Sequence, residues 1–259
     1  MNRPARALSH TVHGTAGPPV VLLHGLGSCA ADWAPQLEAL APRYRVLAVD
    51  LPGHGTSPLP SGPLTIEAMA RAVATLSTEL DAAPAHVVGL SLGACVALRL
   101  ALQAPARVRS LTLVNPFACV RPGGLADVAR LAQRVWLLAT APMPRLAAHV
   151  ARRLFPWPEQ RALYEAAVGS LGATSRRGYA AAMRALARFD ARGQLAAIRR
   201  PTLVVAGDRD LVVALGPKLR LGAAIPGARI VVVPGSGHAT PYDHPAAFNR
   251  LLLEFLDSS

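Results

Sequence analysis

The chain has 259 residues, 52% of them hydrophobic, which is enough to bury the core of one large domain. Its formal net charge of +12 raises nucleic-acid binding, but only 5% of residues are aromatic and the arginines are scattered at helical spacing. A stacking platform or a contiguous basic arm is therefore not expected. Cys29, Cys95 and Cys119 are widely spaced with no CxxC, so neither a disulfide framework nor a metal site is read from them.

In chain order, SHTVHGT (9–15) reads as a short antiparallel edge strand. PVVLLHG (19–25) and YRVLAVDLPG (44–53) then read as buried strands. HVVGLS (86–91), VRSLTLVN (108–115), PTLVVAGD (201–208) and ARIVVVPG (228–235) follow as similar runs. Near-continuous apolar runs of this kind belong to strands covered on both faces of a parallel sheet. Amphipathic helices are predicted near 33–41, 65–82, 92–104, 215–224 and 245–257, the last opening on Pro245. The alternation predicts an α/β fold with a doubly wound, mostly parallel sheet.

The alternation breaks once. Residues 117–195 hold no convincing strand, several Arg/Ala/Leu-rich helical patterns, and breakers at PMP (142–144) and FPWP (155–158). This predicts a helical lid inserted between two core segments, 1–116 and 196–259. The lid segment carries twelve basic residues, all arginine, against four acids, whereas the core segments carry eight basic residues against six acids and seven against five. Either an acidic partner or substrate favours that excess, or it reflects coding bias, since a single lysine stands beside 26 arginines. No apolar run reaches the roughly 18 residues of a membrane span, and MNRPARALSHTVHG lacks an apolar leader core. A cytoplasmic protein with no membrane partner is the expectation.

The chemistry is concentrated at GLSLG (89–93), where Ser91 stands between a strand and a helix. Gly89 and Gly93 allow a tight turn that lifts the hydroxyl above the sheet, with the Leu92 N–H at a helix start. A serine needs a base and the base an orienting acid. GSGHATPYDHP offers His238 and His244, and GDRD offers Asp208 and Asp210. His238 is favoured because its Gly-rich loop follows a strand end, whereas His244 precedes the Pro245 helix start. Asp210 is favoured because it lies farther into its loop, with Asp208 expected to hold the turn through backbone N–H groups. The end of the preceding strand carries Asn115, not a second acid. HGLGS (24–28) suits the other half of an oxyanion hole, pairing the N–H of Leu26 with that of Leu92. His24 and His54 are read as structural.

As a set, HGLG with Trp33, DLPGHGTS, GLSLGA, GDRD and GSGHATPYDHP resemble the successive motifs of the α/β-hydrolase superfamily. The likeness covers the two core segments and leaves the lid unmatched. Within the superfamily the motifs look most like pimeloyl-carrier-protein methyl ester carboxylesterases. LAAIRRPTLVVAGDRD and AIPGAR also resemble 3-oxoadipate enol-lactonases. Ala214 stands where relatives often carry proline. Leu26 and Gly27 depart from the aromatic-proline pair of cofactor-free perhydrolases. The resemblance implies a serine esterase or lactonase needing no cofactor and no metal, acting on a small-molecule ester, lactone or acyl thioester. A carrier-bound acyl substrate and a C–C bond hydrolase or lyase are the alternatives.

Overall fold

The computed structural model describes residues 8–121 and 123–259. Seven strands form one sheet: β1 (His10–His13), β2 (Pro19–Leu23), β3 (Arg45–Val49), β4 (Ala85–Leu90), β5 (Val108–Val114), β6 (Thr202–Gly207) and β7 (Arg229–Val233). Their spatial order is β1-β3-β2-β4-β5-β6-β7. Among the described strands only β1 runs antiparallel, pairing His10 with Val49 and His13 with Val46. The edge segment SHTVHGT thus supplies the one reversed strand of a mostly parallel sheet.

Helices cover both faces: α1 (Ala34–Leu40), α2 (Ile66–Glu79) and α3 (Leu92–Gln103) in the first half of the chain. Residues 117–195 contribute α4 (Leu125–Thr140), α5 (Met143–Leu154), α6 (Arg161–Ala173) and α7 (Arg176–Arg188). The chain ends with α8 (Leu215–Ala223), α9 (Thr240–Asp243) and α10 (Pro245–Asp257). Side chains alternate along each strand, so one strand feeds two cores. Val21, Leu23, Leu47 and Val49 point to the side packed by α2, α3 and α8. Val20, Leu22, Val46 and Ala48 point to the side packed by Trp33, Leu40, Phe248 and Leu252. Phe248 has no exposed surface, and truncating it to alanine is expected to cost about 3–5 kcal/mol.

Three local features beyond the sequence reading have plain causes. The helix predicted near 33–41 is preceded by a 3₁₀ turn, Ala30–Trp33, and becomes α-helical at Ala34, where Pro35 fits the first turn. PMP opens a helix as well as ending one, with Pro142 at the N-cap of α5 and Pro144 in its first turn. The apolar period of α4 implies burial, yet Leu125, Val128, Val135 and Trp136 are exposed. Periodicity identifies a helix face, but not whether anything covers it.

Helices α4–α7 have an apolar cluster of their own, built from Leu137, Leu146, Ala151, Leu171 and Tyr179. This layer is tied to the sheet near the carboxyl end of β2, where Thr174 Oγ1 donates to Gly27 O at 2.9 Å. Successive connections leave β2 toward opposite sides, to β3 and later to β4. A crevice opens beyond the strand ends at such a reversal.

Candidate active site

Ser91 follows β4 directly and donates its N–H to Val114 O at 3.0 Å, which fixes it to the end of β5. Its backbone is strained, at φ +53 and ψ −107. Such a conformation for a non-glycine residue typically costs about 1–3 kcal/mol and persists only when its surroundings hold it. Here the glycines hold it by what they lack. A Cβ at Gly89 would overlap the Gly93 backbone, and one at Gly93 would overlap the carbonyls of Leu23 and His24. The close approach of α3 to β2 therefore creates the corner.

His238 follows β7 in a loop shaped by Asp243, whose Oδ2 accepts the Gly237 N–H at 2.6 Å and whose Oδ1 accepts the Ser236 hydroxyl at 2.8 Å. His238 is buried, with Nε2 at 2.9 Å from Ser91 Oγ and Nδ1 at 2.7 Å from Asp210 Oδ2. The tautomer that satisfies both bonds carries its proton on Nδ1 and accepts the serine proton at Nε2. Asp210 lies past β6, its Oδ1 accepting the N–H groups of Val212 at 2.6 Å and Val213 at 3.0 Å. Burial alone would raise its carboxyl, but His238 and Lys218 outweigh burial and hold it well below the usual carboxylate range.

The structure thus brings Ser91, His238 and Asp210 into one hydrogen-bonded line. Asp208 lies outside it, accepting the Gly235 N–H at 2.7 Å across the neighbouring loop. His244 caps α10 and bonds Asp243 at 2.9 Å. Leu92 is the first residue of α3 and fully buried, and its N–H belongs to the helix turn that has no intrahelical acceptor. Leu26 sits in a turn closed by Ser28 N–H to Gly25 O at 3.2 Å, with Gly27 at φ +82. The contact of α3 with Leu23 and His24 sets these two loops side by side.

His24 serves the loop geometry. Its Nδ1–H donates to Gly25 O at 2.8 Å and its Nε2 accepts the Leu51 N–H at 3.0 Å. Burial pulls its pKa down to about 4, and burial with the neighbouring His24 pulls His54 down to about 3.

Two residues of the network were not assigned from sequence. Asn115, at the end of β5 with φ +46, donates to His238 O at 2.8 Å and accepts the Gly207 N–H at 2.8 Å. It joins the loops that carry the acid and the base. Lys218, on α8, has no exposed side-chain surface and places Nζ 2.6 Å from Asp210 Oδ2. The signal available in the sequence was its singularity, one lysine among 26 arginines, within the apolar stretch LGPKLRLGA.

Among the described residues no His/Cys/Asp/Glu group is placed to hold a metal ion, and no helix is long and apolar enough to cross a membrane. A surface cavity of about 350 Å³ lined by Arg43, Tyr44, His86 and Arg109 lies at the opposite ends of the strands. Its histidine is engaged with Ser110 Oγ at 2.7 Å.

Known proteins give a consistent picture. A family model described as "alpha/beta hydrolase fold" matches residues 18–245. A relative from Azorhizobium caulinodans named "Putative carbamate hydrolase RutD" is 37% identical, over 96% of this chain and 94% of its own length. The enol-lactonase of Burkholderia xenovorans LB400 has a solved structure that superposes with TM-score 0.89 at 30% identity, covering 96% of each chain. A solved hydrolase from Pseudomonas aeruginosa PA01 gives TM-score 0.88 at 35% identity, over 96% of this chain and 94% of that one. With a strained serine beyond β4, a family model matched over residues 18–245 and a relative 37% identical over 96% of the chain, this protein belongs to the α/β-hydrolase fold family.

Proposed function

We propose that this chain is a serine hydrolase that cleaves a carboxylic ester or lactone through an acyl-enzyme. The carrying observation is the line from Ser91 Oγ through His238 to Asp210, with bonds of 2.9 and 2.7 Å at the carboxyl ends of the strands. Ser91 attacks the carbonyl while His238 Nε2 takes its proton, and Asp210 orients and stabilises the imidazolium. The N–H groups of Leu26 and Leu92 hold the oxyanion, each worth about 3 kcal/mol of barrier in comparable sites. His238 then protonates the leaving alcohol and activates the water that releases the acid.

Residues 117–195 act in this reading as a lid between core segments 1–116 and 196–259. Support comes from their separate apolar cluster and from the bonds of Thr174 to Gly27 O and Ser170 to Asp32, both made beside the HGLG turn. The acyl pocket then lies between lid and sheet.

A second reading, cleavage of a carbamate, is favoured by the relatives. Two of the RutD proteins are 37% and 38% identical to this chain across 96% of its length. A carbamate carbonyl is less electrophilic than that of an ester, but it needs the same nucleophile, base and oxyanion donors. Turnover of matched ester, lactone, thioester and carbamate substrates separates these chemistries. A fluorophosphonate probe should label Ser91 alone, and Ser91→Ala should lose both labelling and turnover while remaining folded. Full activity in that variant refutes the nucleophile assignment.

A further inference from the structure

The catalytic scheme has no role for Lys218, although it is one of the most completely buried side chains in the molecule. Its Nζ lies 2.6 Å from Asp210 Oδ2, 2.7 Å from Asn115 Oδ1 and 3.0 Å from Gly207 O. Three acceptors match the three N–H donors of an ammonium group, whereas a neutral amine would have only two to give. Burial pulls the lysine pKa down, but Asp210, Asp208 and Asp243 act against it. The geometry is that of a retained ion pair.

Oδ2 of Asp210 is shared. It accepts from Lys218 and from His238 Nδ1 at 2.7 Å, so ammonium and imidazole sit on either side of one oxygen. We propose that Lys218 is a positioning residue: its buried ammonium fixes the Asp210 carboxylate and, by occupying half of that charge, sets the acidity at which the base stops working. The idea rests on the serine-hydrolase reading above.

The physical consequence has a definite sign. A cation bonded to the same carboxylate oxygen as the imidazole disfavours a second positive charge there, and it also neutralises the carboxylate that would otherwise favour one. Removing the Lys218 charge therefore favours the charged form of the imidazole relative to wild type. The other charged groups facing this pair are Asp208 on the same loop, Asp243 at the end of α9, and Arg153 on α5, which feels the Asp210 charge. None of them makes a direct contact with the shared oxygen among the described residues.

The test is the pH profile of kcat/KM for p-nitrophenyl acetate in wild type, Lys218→Met and Lys218→Gln. Both variants remove the charge, and glutamine keeps a donor. The expected result is an acid limb displaced upward by about one pH unit or more in both. Coincident limbs overturn the proposal, and so does a shift with methionine but none with glutamine, which would assign Lys218 a hydrogen-bonding role only. Should neither variant fold, urea unfolding of Asp210→Asn and of Asp210→Asn/Lys218→Met decides the matter. An ammonium left without its partner makes the double variant the more stable of the two. Equal or lower stability of the double variant overturns the ion pair. Failure of the serine-hydrolase reading is seen separately, as turnover retained by Ser91→Ala, and leaves this stability comparison intact.

Discussion

Replacing His24 with glutamine tests how the loop after β2 is held. His24 is fully buried and neutral, donating to Gly25 O and accepting from Leu51 N–H. Glutamine can still accept from Leu51 but loses the Gly25 bond, so at pH 7 the variant should be less stable by about 1 kcal/mol. The wild-type histidine has a pKa lowered from 6.5 to about 4 on folding. Its unfolded state thus takes up a proton before the folded state does, and stability falls as pH drops from about 6.5 toward 4. By linkage this single group removes about 2 kcal/mol between pH 7 and pH 5, a loss the glutamine variant does not share. The two stability curves should therefore cross near pH 5 to 6. Urea unfolding at half-unit steps from pH 7.5 to 4.5, followed by circular dichroism, measures this. A constant difference between the two proteins over that range refutes the buried neutral histidine.

The remaining predictions concern the site. Ser91→Gly should abolish turnover yet stabilise the fold by about 1 kcal/mol, read as a raised Tm, because glycine relieves the strain at φ +53. Asp210→Asn should lower kcat at least about a hundredfold. It should also destabilise by about 3–5 kcal/mol through the unpaired Lys218, seen in urea titration. Asp208→Asn, whose bond to Gly235 is exposed, should lose about 1 kcal/mol or less and keep its activity. Gly93→Ala should destabilise by several kcal/mol, since the new methyl overlaps the carbonyls of Leu23 and His24, and its soluble yield and Tm report this directly.

The layering of this protein was legible in its sequence for a local reason. VVLL and VLAV are apolar at every position, and HVVGL and TLVV at nearly every one, as a strand buried on both faces requires, and each is followed by a helical period. Such patterns are written in neighbouring residues, so the sheet, its reversed edge strand and the glycine-framed corner at Ser91 could all be anticipated. The choice between Asp208 and Asp210 was different, because both stand in one short loop and the chain pattern treats them almost alike. It is the register of β6 beside β7 that sends one carboxylate to Gly235 and the other to His238. Lys218 was less legible still, since nothing around it in LGPKLRLGA announces a charge partner. Its three acceptors come from Asn115, Gly207 and Asp210, on two strand ends and a loop brought together only when α8 packs on the sheet. A sequence states which groups are present and what period carries them. Which charges share an oxygen at 2.6 and 2.7 Å was decided by long-range packing, because burial leaves an ammonium stable only where distant segments supply its acceptors.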